Sequence, residues 1–186
     1  MSITTIIAII VAVVIVIWFV SGYNSLVRAR NDRENAFANI DVQLKQRHDL
    51  IPQLVSTVKG YAIHERELLE GVTQARAAAM GANTIDDKIK AEGELNKALA
   101  GLRVSLEAYP DLKANQNFMQ LQSEVSELEN KLAATRRYFN ATTREYNNKV
   151  DTFPSNLIAG IFGFCREIMF EVEDRATYNK APEIRF

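Results

Sequence analysis

Residues 37–61 read FANIDVQLKQRHDLIPQLVSTVKGY, and the spacing of their apolar side chains decides the fold. Phe37, Ile40, Leu44, Ile51, Leu54, Val58 and Tyr61 recur at three- and four-residue steps, a heptad whose unfilled core position falls on Arg47. That period belongs to an amphipathic helix, and the same texture extends over residues 23–80, with Pro52 as the only proline and Gly60 and Gly71 as isolated glycines. Pro52 lacks an amide hydrogen and crowds the carbonyl of His48, so a kink or a restart is expected there.

Toward the C-terminus, Met80-Gly81-Ala82-Asn83-Thr84 is the first clear break. Gly81 suits a helix end, Asn83 or Thr84 suits a cap, and Asp86 and Asp87 suit an acidic first turn. A second helix then carries Ile85, Ile89, Leu95, Leu99, Leu102, Leu106 and Tyr109 until Tyr109-Pro110 stops it. A third carries Phe118, Leu121, Val125, Leu128, Leu132, Phe139 and Tyr146 until Phe153-Pro154. Residues 156–170, NLIAGIFGFCREIMF, are apolar nearly all round yet too short to span a bilayer, which leaves a buried bundle element or a surface for lipid or a partner. Long amphipathic stripes on short connections pack antiparallel around a common seam. The expectation is an all-α chain with an antiparallel bundle of three to four long helices over residues 23–175, followed by a poorly ordered charged tail, 176–186.

Toward the N-terminus, residues 3–20 read ITTIIAIIVAVVIVIWFV, without a charged side chain. At about 1.5 Å per residue the run reaches roughly 27 Å, close to the hydrocarbon thickness of a bilayer. A cleavable signal would present a cationic start, a shorter apolar core and a small-residue cleavage site. Here the run ends in bulky Trp18 and Phe19, which suit the membrane interface. Residues 1–22 are therefore read as a retained transmembrane helix, with the lipid bilayer as partner of residues 3–20. Arg28, Arg30 and Arg33 follow the span and no side-chain positive charge precedes it, which favours a cytoplasmic bundle.

The chemistry-bearing residues are few. His48 and His64 lie sixteen residues apart, so on one helix they point roughly 160° apart and cannot share an ion. There is no phosphate-cradling glycine loop, no nucleophile elbow and no paired cysteine, and the lone Cys165 in apolar context reads as an inert buried thiol. The 22 Lys and Arg nearly balance the 23 Asp and Glu and are interspersed, without the basic block that nucleic acid requires. No catalytic residue, metal ligand or cofactor site is assigned. The candidate interaction residues are Arg47, His48 and Asp49 beside the Pro52 kink, His64, and Phe162, Phe164 and Phe170 of the apolar element. The polar set before Pro52 has two open readings: a recognition feature, or a hinge whose groups are satisfied internally.

Several stretches together resemble the LemA family: Tyr23-Asn24, Val42-Gln43-Leu44-Lys45-Gln46-Arg47-His48-Asp49-Leu50-Ile51-Pro52, Tyr61-Ala62 with His64-Glu65, Tyr109-Pro110-Asp111-Leu112-Lys113-Ala114-Asn115, Tyr146-Asn147, Phe153-Pro154, Gly163-Phe164 and Phe170-Glu171. The resemblance covers essentially the whole chain in order. It implies a bacterial protein of the inner membrane, with a short N-terminal anchor and a helical bundle, and with no enzymatic activity established for the family. With the absent catalytic equipment, this leads to the expectation of a membrane-tethered interaction or scaffold module, engaging protein partners or identical copies. The alternatives are a regulator of a membrane enzyme and a membrane-remodelling protein that uses residues 156–170.

Overall fold

The computed structural model describes residues 2–170, and every regular element among them is helical. Helix α1 runs Ile3–Lys59, α2 Arg66–Gly81, α3 Ile85–Ser105, α4 Pro110–Lys113, α5 Gln116–Asp151 and α6 Ser155–Phe162, with short 3-10 turns at Ile63–Glu65 and Leu106–Ala108. The 57 residues of α1 make a rod about 85 Å long at ~1.5 Å per residue. Every residue from Ser2 to Trp18 is exposed, and α1 is the one helix among the described residues long and apolar enough to cross a membrane.

From residue 33 onward α1 is the first column of an up-down-up-down bundle. Arg33, Asp41 and Arg47 meet Asp86, Lys88 and Glu92 in the same order, so α3 runs parallel to α1. Phe37 meets Phe139 while Arg47 meets Glu129, so α5 runs antiparallel. Between them α2 returns from the end of α1, bringing Arg76 to the His48 carbonyl. One core cluster gathers Ile51, Val58, Leu69, Val72, Leu95, Leu102, Leu112 and Phe118, and a second gathers Phe37, Ile40, Leu44, Leu132, Phe139 and Phe170. A third, Leu26 with Ile158 and Ala159, seats α6 on α1 beside the apolar run.

The helix ends follow local stereochemistry. Thr84 Oγ1 accepts the amide of Asp87 at 3.1 Å, and Asn115 Oδ1 accepts that of Phe118 at 3.1 Å, each satisfying a donor the first turn leaves free. Gly81 is the last residue of α2, as its composition suggested. The structure corrects the sequence reading at several points. The helix expected over residues 23–80 is two, because the chain folds back at Gly60–Ala62, where the amides of Tyr61 and Ala62 both reach the Val58 carbonyl. The apolar phase runs unbroken through Val58, Ala62, Leu69 and Val72 because α2 faces the same core, so periodicity alone cannot register the turn. Of the kink or restart expected at Pro52, the restart does not occur: α1 continues through it to Lys59.

Residues 156–170 are not one helix either. Gly163, at φ 70, takes the left-handed conformation that closes α6, with the Phe164 amide on the Ala159 carbonyl at 2.9 Å. Residues 164–170 then run without regular structure along α5. Cys165 on that segment is exposed, contrary to the buried thiol expected. The tail 176–186 lies outside the described residues.

Candidate functional site

The vacancy in the α1 heptad is filled by charge. Arg47 is 2% exposed, and its guanidinium donates to Glu92 Oε2 at 3.4 Å and to Asn96 Oδ1 at 2.5 Å. Its Nε lies 3.6 Å from Glu129 Oε1 on α5. His48 follows on the same face, and its Nε2 donates to Glu92 Oε1 at 2.6 Å, so both oxygens of one buried carboxylate are held from α1. Glu92 itself is 1% exposed. Desolvating such a set is costly, and only mutual pairing offsets it, so a slip of α3 by one turn would face Arg47 with Ile89 or Leu95 and leave both charges stranded. The cluster ties α1 to α3 and α5 in one register.

Pro52 belongs to the same construction. Lacking N–H, it leaves the His48 carbonyl without its helical partner, and Arg76 Nε of α2 donates to that oxygen at 2.7 Å. The helix stays unbroken because a guanidinium stands in for the missing amide. In this polar stretch the Arg47 and His48 side chains and the His48 carbonyl all find partners on neighbouring helices. Asp49 points out to solvent from the same turn, apart from Arg47 and His48. His64 is also exposed, in the turn after α1. From His48 to the end of α1 is roughly 16 Å of helix, so the two histidines and Asp49 share no centre. No group of three or more His, Cys, Asp or Glu among the described residues is placed to hold a metal. The His48–Glu92 pair is buried, His48 being 7% and Glu92 1% exposed.

The three phenylalanines divide. Phe170 is 7% exposed, stacks with Phe37 at 6.4 Å and meets Phe139 edge-on at 5.6 Å, so it is core and no candidate for docking. Phe162 and Phe164 lie on Tyr23, at 4.7 and 5.9 Å between centroids, and Phe162 also touches Phe19. Gly22 permits this approach, since a Cβ there would collide with the Ile158 side chain.

Sequence reasoning gave no role to the residues that place Phe170, although Tyr146-Asn147 stood in the family resemblance. On α5, the Asn140 amide donates to the Phe170 carbonyl at 3.0 Å and accepts the Phe170 amide at 2.9 Å. Asn147 does the same for Glu167, at 2.9 Å in both directions. Seven helical residues rise about 10.5 Å, and three fully extended residues span about 10 Å, so the two asparagines one heptad apart hold the chain at near full extension. They replace the ladder partner that an isolated strand would lack. Tyr146 adds a hydrogen bond from its hydroxyl to the Cys165 carbonyl at 3.0 Å. Burial, and after it the Glu167 carboxylate, pushes the Tyr146 phenol above its ordinary range. Arg33, 4% exposed, closes the set by pairing with Asp86 and Glu167, both at 3.1 Å. At the far end of the bundle, Asn115 donates to the Tyr61 hydroxyl at 2.8 Å and Tyr109 donates to Glu65 at 3.2 Å, pinning the turns that carry His64.

Comparison with known proteins gives a consistent picture. The family model described as the LemA family matches residues 36–186. Protein LemA of Metamycoplasma hominis is 29% identical, covering 84% of this chain and 72% of the relative. Magnetosome protein MamQ 2 of Paramagnetospirillum magneticum is 23% identical over 80% of this chain, and magnetosome protein MamQ of Magnetospirillum gryphiswaldense 22% over 77%. The chain spans 64% and 62% of the length of these two magnetosome proteins.

Proposed function

The chain belongs to the LemA family, and from that premise we propose that it is a single-pass membrane protein whose bundle serves as a rigid, non-catalytic interaction module. One observation carries the reading: α1 passes from the exposed apolar run into the bundle core without a break. A domain hung on a flexible linker samples many orientations, whereas one built on its own anchor helix is held at a fixed angle to the bilayer. From residue 22 to Lys59 the helix projects about 55 Å at ~1.5 Å per residue, which sets the surfaces of α2, α3 and α5 at defined heights above the lipid. The sealing of Arg47, His48 and Glu92 supports a structural use of the titratable groups, and the LemA family is not a known enzyme family. The anchor is taken as residues 1–22 and the bundle as 23–175, of which 171–175 lie outside the described residues. Its partners are proteins, identical copies among them, and it sits in the bacterial inner membrane.

The bundle is assigned to the cytoplasmic face. Arg28 and Arg30 stay at the surface beside the span, while Arg33 is folded into the bundle. Crosslinking in intact membranes followed by mass spectrometry tests the interaction role. Recovery of defined bundle-to-partner crosslinks is expected, and recovery of the lone monomer under several chemistries would contradict it.

A further inference from the structure

Between Asp151 and Arg166 the chain carries no charged residue, and those two residues pair with each other at 3.0 Å. The enclosed segment is therefore an uncharged lobe closed at its base by an ion pair, with α6 inside it. One face of α6, Ile158 and Ala159, is buried on α1 at Leu26. The other is bare: Leu157 and Ile161, four residues apart, are 55% and 68% exposed, and Phe153, in the turn before α6, is 79% exposed. Apolar side chains of this size, gathered on one short segment, are a liability in water.

Their position says what covers them. The lobe packs against α1 at Phe19, Gly22 and Tyr23, where the apolar run ends. Resting on the anchor reading above, we infer that the lobe of residues 152–165 is a second membrane contact, with α6 lying in the lipid interface and Phe153, Leu157 and Ile161 among the upper acyl chains. The ligand is a lipid surface. Within the anchor the lobe lies beside Trp18 to Gly22, a depth of about 6 Å at ~1.5 Å per residue, and interfacial helices sink ~5–10 Å into the headgroup and acyl boundary. A second copy of the chain is the competing occupant, but it would have to reach this face at the height of the bilayer surface. The lipid is already there. Asp151 and Arg166 then sit among the headgroups, and α1 cannot tilt without lifting the lobe. Phe162 and Phe164 attach the lobe to α1 through Tyr23, and Phe162, still 50% exposed, adds to the apolar surface of the lobe.

The test uses full-length protein in phosphatidylethanolamine–phosphatidylglycerol vesicles, on a Cys165→Ser background, with a nitroxide at Ile161→Cys, at Ile10→Cys in the span, or at Val104→Cys on the exposed far end of the bundle. Access of oxygen relative to a water-soluble nickel chelate reports depth. The expected order is Ile10 deepest, Ile161 intermediate and Val104 aqueous. An aqueous Ile161 with a deep Ile10 overturns this inference and leaves the anchor intact. Aqueous values at both overturn the anchor reading itself. Protection of Ile161 from both reagents means that protein covers the lobe, which also overturns the inference.

Discussion

At the scale of single residues, the bundle is set by groups that would each be a defect alone. The His48 carbonyl, orphaned by Pro52, is tolerated because Arg76 reaches it. Arg76→Ala should therefore cost about 1–3 kcal/mol, the penalty for a stranded buried acceptor. In a Pro52→Ala background the carbonyl regains a helical amide, so the same substitution should cost clearly less. Equal losses by urea unfolding in both backgrounds would show that Arg76 acts through something else. Glu92→Ala removes the shared acceptor of Arg47 and His48, and a loss of about 3–5 kcal/mol is expected. Replacing Arg47 and Glu92 together by Leu should recover much of it, because an apolar pair carries no desolvation penalty. A double variant no more stable than Glu92→Ala would contradict that. The vacancy at Arg47 was legible in the α1 heptad. Its answer was written as the gap between Ile89 and Leu95, where Glu92 stands, but two matching vacancies 45 residues apart are joined only by the fold.

At the scale of elements, ends that depend on nearby stereochemistry were legible at Gly81 and Thr84 and, within two residues, at Phe153-Pro154, whereas α3 stops at Ser105, short of Tyr109-Pro110, and passes into the turn Leu106–Ala108. The turn at Gly60 was not legible, because the apolar period continues through it. The split of residues 156–170 was not, because apolar content says that a segment is covered but not by what. The only local sign was Gly163, whose left-handed backbone ends α6. The course of residues 164–170 depends on Asn140 and Asn147, residues with no helical reason to be singled out. Asn140→Leu with Asn147→Leu should free residues 164–170, raising amide exchange at Glu167 and Phe170 while α2 and α3 stay protected. Unchanged protection would dismiss the ladder. Tyr146 adds a pH dependence. Its phenol titrates higher folded than unfolded, so its contribution is intact below the ordinary tyrosine value near 10 and is lost as pH rises toward the folded value. Tyr146→Phe should lose less stability than the parent over that alkaline range in circular-dichroism melts. A slope equal to that of the parent would count against the assignment.

At the scale of the whole molecule, a single helix serves as both anchor and first bundle column, and the interior on that column is alternately apolar and ionic. The sequence announced both halves, the charge-free run and the heptad, but not their continuity, since nothing in residues 20–37 distinguishes a helix that carries on from one that restarts. That continuity is the central claim, because a fixed bundle height and angle rest on it. Its most direct measurement is the distance between nitroxides at Ser21→Cys and Lys59→Cys, on a Cys165→Ser background, in full-length protein held in a lipid nanodisc. An unbroken helix places these backbone positions about 57 Å apart at ~1.5 Å per residue, and a single narrow distribution near that value is expected. A broad distribution, or one centred well short of it, would contradict the account.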